Sequence, residues 1–216
     1  MNNENEFDIS GKGIITKYAG TESSVVIPQE IRRIIVRTIG RNAFTFSELT
    51  EIVIPDSVTK IGDEAFYKCQ LTKLVIPKSV TFIGNYAFLK NQLIEVIIPD
   101  SVTKIGKGAF YKNRLTKVLI SESIKNIGET TFSNNQLKEI VIPKRVKKIG
   151  CGAFTGNMLN SITICSKISL PRKSKYLRPA FDNGFDDFYR SNKKKIGTYI
   201  FDEEEWSIKG EQKSKY

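Results

Sequence analysis

The sequence predicts a repeat solenoid of the α/β class, mostly short strand and loop with little helix. Three columns of residues predict it. Ala-Phe stands at 43–44, 65–66, 87–88, 109–110 and 153–154, with Thr131-Phe132 in the remaining slot. Ile-Gly keeps the same 22-residue step at 39–40, 61–62, 83–84, 105–106, 127–128 and 149–150. Leu49, Leu71, Leu93, Leu115, Leu137 and Leu159 form the third column. Self-similarity at a fixed period marks stacked units, none of which can bury its apolar side alone.

Each element of one unit follows from its residues. Leu71, Leu74, Ile76 and Pro77 spell L-x-x-L-x-I-P. The alternation at Leu74 and Ile76 is that of a short strand with one face buried. Pro77 has no N–H to give a ladder, so it closes the strand. Val80 and Ile83 point back inward on the return path, and Gly84 suits a bend where a side chain would intrude. Phe88 is the largest buried piece of its coil, contributing about 1.5–3 kcal/mol when fully buried. Asn91, Asn113, Asn135 and Asn157 then form a polar column just before the next leucine. An inward asparagine can satisfy backbone groups of neighbouring coils, and Cys69 is a smaller occupant of the same slot.

The period and the L-x-x-L-x-I-P…I-G-x-x-A-F pattern resemble the bacterial leucine-rich repeats of the BspA-like, or Treponema pallidum-type, family. The resemblance covers about residues 21–168. It implies a right-handed leucine-rich coil with a parallel β-sheet on the concave side. It also implies a cell-surface or extracellular protein that binds host or extracellular proteins, in the manner of an adhesin.

The ends of such a stack need covers. Residues 1–48 are expected to form an N-terminal cap and a widened first coil. There 7–28 reads as two short strands around Gly11 and Gly13 and a third running into Pro28. Five extra residues lie between Pro28 and Ile39, near "RRIIV". Residues 49–168 hold the regular coils. After Ile168 the 22-residue columns stop, and 169–208 reads as an aromatic C-terminal cap containing Tyr176, Phe181, Phe185, Phe188, Tyr189, Tyr199, Phe201 and Trp206. "FDDFYRSN" suits a short helix starting near Asp182 or Asn183. "IGTYIFDEEEWSI" suits a hairpin turning near Asp202–Glu204. Residues 209–216 read as a disordered tail.

Composition narrows the function. The formal charge is +11, but the basic residues are spread along the chain, with local density only at 144–148, 171–175 and 193–195. Without a nucleic-acid-binding module, nucleic acid is not the expected partner. The chain has no histidine, which excludes a histidine-based triad and a histidine metal site. Cys69, Cys151 and Cys165 are too few and scattered for a disulfide framework. Asp186, Asp187 and Glu203–Glu205 have no partnered base. No enzyme activity, cofactor or metal is expected. No apolar run approaches the roughly 18 residues that span a bilayer. The opening "MNNENEFDIS" lacks the basic and apolar regions of a signal peptide. A cytoplasmic location therefore stays open beside the surface location that the resemblance implies.

Two exposed columns on the expected concave sheet are the candidate binding surface. Glu51, Lys73, Glu95, Lys117 and Glu139 alternate in sign, as charges about 4.8 Å apart should, and the column ends at the neutral Ser161. Asp56, Lys78, Asp100, Glu122 and Lys144 nearly alternate beside them. Val53, Val75, Ile97, Leu119 and Val141 form an aliphatic stripe that ends at Thr163. Contiguous apolar surface with a polar rim is the pattern of a protein contact, although β-branched residues also simply favour strands. The partner-binding residues expected on this face are Val53, Lys73, Val75, Glu95, Ile97, Lys117, Leu119, Glu139 and Val141. The alternative reading is an electrostatic binder of polyanions: nucleic acid, acidic glycan or an anionic membrane surface.

Overall fold

Each 22-residue unit makes one coil, and consecutive coils are joined along three lines of hydrogen bonds. The computed structural model describes residues 4–172, 178–202 and 204–210. Tyr176, Glu203 and the tail 211–216 lie outside them.

The first line is a front sheet of parallel strands. Ser24–Val26 pairs with Glu51–Val53, Glu95–Ile97 with Lys117–Leu119, and Glu139–Ile142 with Ser161–Ile164. The second is a back ladder of two-residue strands, Thr38–Ile39, Lys60–Ile61, Phe82–Ile83 and Lys104–Ile105, parallel throughout. Asn126–Ile127 and Lys148–Ile149 form a separate parallel pair on this side. The third line runs through the Ala-Phe turns. There the N–H groups of Phe44, Phe66, Phe88, Phe110 and Phe132 donate to the carbonyls of Ala65, Ala87, Ala109, Thr131 and Ala153 at 2.8–3.0 Å.

The turn line needs an unusual backbone. The residue before each Ala-Phe or Thr-Phe pair (Asn42, Glu64, Tyr86, Gly108, Thr130, Gly152) has φ between 51° and 63°. Left-handed backbone is strained for residues such as Tyr86 and Thr130. Each of these residues also donates its N–H to the next coil, as Tyr86 does to Lys107 O at 2.8 Å. The repeated bond holds the conformation in place. Gly106 meets a different demand. A Cβ there would lie 2.4 Å from Asn85 N, because consecutive back-ladder bends touch backbone to backbone.

The core is a file of identical side chains. Phe44, Phe66, Phe88, Phe110, Phe132 and Phe154 are each 0% exposed. Their rings stack with neighbouring centroids 5.0–5.6 Å apart and planes within 22° of parallel. The asparagine column runs alongside. Asn113 accepts from Leu93 N–H at 3.2 Å and donates to Phe88 O at 2.9 Å and Phe110 O at 3.2 Å, tying two coils together. Asn91, Asn135 and Asn157 make the equivalent bonds to Leu71, Leu115 and Leu137 and to the preceding phenylalanine carbonyls.

Cys69 fills that slot incompletely. Its Sγ lies 2.9 Å from Phe44 O, but it offers no amide oxygen to Leu49 N–H. Burial pushes its thiol pKa up to about 12. Cys69→Asn is expected to raise stability by about 1 kcal/mol, one added buried hydrogen bond. Denaturant unfolding checks this, and a lower midpoint would show that the slot cannot hold an amide there. In the unmodified chain Cys165, which is exposed, should react with a thiol reagent at pH 8 while Cys69 stays unlabelled.

One expected strand is missing. Residues 73–75 form none, Leu74 is only half-buried and Val75 is 79% exposed. The slot of Leu74 holds Ile52, Val96, Val118, Ile140 and Ile162 in the other coils. Leucine is the one member not branched at Cβ and fits a pleated strand less well. Two more breaks border the coil 115–136. The back ladder stops between Ile105 and Ile127, and the front sheet between Leu119 and Glu139. That coil carries Thr131 in place of Ala, with its hydroxyl 3.0 Å from Gly128 O, and Ser121 in place of Pro.

The N-terminal cover is the antiparallel hairpin Phe7–Ile9/Ile14–Tyr18, which joins the back ladder at Thr38–Ile39. Tyr18 stacks on Phe44 at 5.1 Å and so heads the ring file. The insertion is taken up by a small hairpin, Glu30–Ile31 with Ile34–Ile35. Its turn residues Arg32 and Arg33 both have positive φ, at 49° and 65°. Such a turn matches the twist of the paired strands.

At the other end the 22-residue period stops after Ile168, as the sequence predicts, but the same slots are filled once more at a longer spacing. Ser169 bridges to Lys148 in parallel, and Ala180-Phe181 occupies the next turn slot. Phe181 stacks on Phe154 at 4.9 Å. The final coil's outward N–H groups all find acceptors: Gly152 on Pro179 O, Phe154 on Ala180 O and Gly156 on Asp182 Oδ2. The line then ends on one buried carboxylate. Asp186 accepts from Ala180 N–H at 2.8 Å and Phe181 N–H at 3.1 Å. Burial pushes the Asp186 carboxyl above the usual carboxylate range, against the pull of those two donors and Arg190. Asp186 sits on the helix Phe185–Ser191, whose Phe185 and Tyr189 pack with Tyr199 and Trp206 of the hairpin Gly197–Asp202/Glu205–Ile208. The first strand of that hairpin pairs antiparallel with Ser161–Ile164 and closes the front sheet.

Candidate binding face

The front sheet is apolar on both sides, and only the inner side is used by the core. Ile52, Val96, Val118 and Ile140 are buried, at 7% exposure or less. Their neighbours Val53, Val75, Ile97, Leu119 and Val141 are 48–79% exposed. Strand alternation dictates this division. Ile97 and Leu119 are direct partners in register, as are Glu95 and Lys117. Val75 and Lys73 lie on the coil without a strand, so they continue the two columns without continuing the ladder.

The stripe is longer at its start than the sequence reading made it. Val26 pairs with Val53 and is 51% exposed. The signal was present, since Val25-Val26-Ile27-Pro28 repeats Ile52-Val53-Ile54-Pro55. At the far end Thr163 is half-buried, and its hydroxyl meets that of Thr198 at 3.0 Å. The C-terminal hairpin therefore terminates the stripe.

The charged column is in register but its rungs are not closed by ion pairs. Among the described residues the ion pairs are Arg41–Glu64, Lys107–Glu129 and Arg190 with Asp186 and Asp187, none of them in the column. Glu51 instead accepts from Ser24 Oγ at 3.4 Å. Exposed pairs contribute about 0–1 kcal/mol, too little to pin two long side chains out of water. Glu51, Lys73, Glu95, Lys117 and Glu139 are all exposed and available as a rim.

Two shallow clefts converge on the middle of this face. One of about 450 Å³ lies between 116–120 and 139–141, where the sheet is broken. Another of about 530 Å³ lies between 97–101 and 119–122. Both are lined by Leu119, Ile120 and Glu122. A third cleft, of about 590 Å³, is on the back ladder, with Glu129, Lys148 and Arg172 among its lining residues. Among the described residues no cluster of three or more His, Cys, Asp or Glu side chains could hold a metal. No helix among them is long and apolar enough to cross a membrane.

A stack of identical coils that leaves one sheet face open defines a repeat protein of the leucine-rich class, a class of protein-interaction modules. The chain belongs to the BspA type leucine rich repeat region family, whose model matches residues 59–176 in six copies. Solved structures agree. A Treponema pallidum leucine-rich repeat protein is 26% identical, with a TM-score of 0.57 over 72% of this chain and 88% of that one. A leucine-rich cell surface protein of Faecalibacterium prausnitzii is 29% identical, with a TM-score of 0.58 over 80% of this chain and 57% of its own. A leucine-rich repeat protein of Bacteroides ovatus is also 29% identical, with a TM-score of 0.60 over 72% of this chain and 45% of its own. The chain thus spans about half the length of the last two. Among curated proteins none matches.

Proposed function

We propose that the chain is a non-enzymatic protein-binding module that engages a host or extracellular protein through its front sheet, at the bacterial surface. One observation carries the reading: five exposed aliphatic residues, Val53, Val75, Ile97, Leu119 and Val141, stand in one file with a charged column beside them. Such a file has no role in the core, which is filled from the other side of the same strands. Leaving it in water is unfavourable by about 25 cal/mol for each Å² of apolar surface. A partner that covers it would recover that energy, with Glu51, Lys73, Glu95, Lys117 and Glu139 as the wet rim. Family membership supports the interaction role. The surface setting draws on the named cell-surface relative.

The test is capture from host extracellular matrix and serum with the purified chain, followed by washing at rising salt. Partners held by an apolar-centred contact should remain bound between low and physiological ionic strength. Loss of all captured material over that range would favour the polyanion reading, whose affinity falls steeply with salt.

A further inference from the structure

We propose that the turn corner of the solenoid carries a second binding surface, a cationic rail for a linear polysaccharide bearing carboxylate or sulfate groups. Lys68, Lys90 and Lys112 hold the same position in three consecutive coils, two residues after Phe66, Phe88 and Phe110, and all three are exposed. Lys68 N–H donates to Leu89 O and Lys90 N–H to Tyr111 O, each at 2.9 Å, so the lysines stand on adjacent rungs about 5 Å apart.

Two independent terms oppose lysine here. Like charges on neighbouring rungs repel. The front column avoids this by alternating Glu51, Lys73, Glu95, Lys117 and Glu139, whereas the rail does not alternate. The backbone is also left-handed, with φ of 56°, 56° and 55°. Glycine or asparagine is the relaxed choice there, and the next two coils use them, at Asn134 and Gly156. Among the described residues none of the three ammonium groups is within ion-pair distance of a carboxylate. Cation–π contacts offset part of that cost at Lys68 and Lys112, and capture of a negatively charged chain accounts for the row as a whole.

The geometry selects the kind of chain. The row is one residue wide and follows the stacking direction, so it suits a single extended polymer with a charge on successive units. Aromatic rings adjoin it, but their faces are taken. Lys68 Nζ lies 5.0 Å over Phe46 and 5.4 Å over Tyr67, and Lys112 Nζ lies 5.4 Å over Tyr111. Rings covered by ammonium groups are not open platforms for stacked bases, the device on which single-stranded nucleic acid binders rely. A single row also cannot follow both strands of a duplex or spread over a bilayer.

The rail is separate from the front face, so the two readings fail separately. The test variant is Lys68→Asn/Lys90→Asn/Lys112→Asn. Asparagine tolerates left-handed backbone and relieves the repulsion, so the thermal midpoint should be unchanged or higher. The control, Lys125→Asn/Lys147→Asn/Lys148→Asn, removes the same charge from other exposed positions. Probes are heparin, hyaluronan, oligothymidylate and phosphatidylserine vesicles, with heparin and hyaluronan separating sulfate from carboxylate recognition. The chain should bind at least one polysaccharide, with a loss of about tenfold or more in the rail variant and less than about threefold in the control. Equal losses in both variants would reduce the effect to net charge and overturn the rail. So would tighter binding of oligothymidylate or vesicles than of either polysaccharide, or no polysaccharide binding at all.

Discussion

Phe88→Ala is expected to lower stability by about 3–5 kcal/mol, the cost of emptying an aromatic site that cannot collapse. Phe88 is stacked between Phe66 and Phe110 at 5.3 Å on each side and is 0% exposed. Its backbone N–H and C=O also carry turn-line and asparagine bonds, to Ala109 and Asn113, so the neighbouring coils resist closing the gap. Because each coil contacts chiefly its neighbours, the variant should broaden the transition as well as lower its midpoint. Denaturant unfolding followed by circular dichroism measures both. A midpoint shifted by less than about 2 °C on melting would contradict the ring file.

Removing residues 169–216 should yield an insoluble or aggregating chain. The truncation strips Phe181 from Phe154 and uncovers the front-sheet edge at Ser161–Ile164. It also leaves the N–H groups of Gly152, Phe154 and Gly156 without the acceptors they now have. An exposed apolar end with a row of donors is a template for another chain. Size-exclusion chromatography of the truncated protein checks this, and a soluble monomer would mean that the segment is not a cap. Asp186→Ala is a narrower cut at the same place. It leaves Ala180 and Phe181 N–H buried without their carboxylate and should cost about 1–3 kcal/mol.

The regular coils were legible because their core demands one residue type per slot. A file of stacked rings requires Phe every 22 residues, and a buried bridge between coils requires Asn. The ends were harder to read because the same slots are reached at other spacings. Tyr18 replaces phenylalanine 26 residues before Phe44, and Phe181 follows Phe154 by 27, so a strict 22-residue search passes over both. Ala180-Phe181 was nonetheless written in the sequence, and allowing an insertion would have found it. Asp186 was read only as an unpartnered acid, because what it terminates exists only once the coils are stacked. The missing strand at 73–75 turned on the single Leu74 among β-branched residues, a difference of propensity too small to outweigh the pattern in sequence. Of the candidate face, the alternation of buried and exposed residues was legible. The two clefts meeting at Leu119 were not, since they arise where the sheet breaks beside the coil with Ser121 and Thr131.

The most direct test of the front face is to change its centre without touching the core. Ile97 and Leu119 are paired in register, 60% and 49% exposed, and Leu119 borders both clefts. Contact energy concentrates at such central positions. Ile97→Lys with Leu119→Glu places an opposite-charge pair on adjacent rungs and should leave the melting midpoint within about 2–3 °C of the parent. Binding of the captured partner, measured by surface plasmon resonance, should weaken at least about tenfold, or 1.4 kcal/mol. Lys104→Glu with Lys107→Glu, on the back ladder and the bend that follows it, should leave binding nearly unchanged. Loss of binding in the back variant with full binding in the front variant would contradict the account.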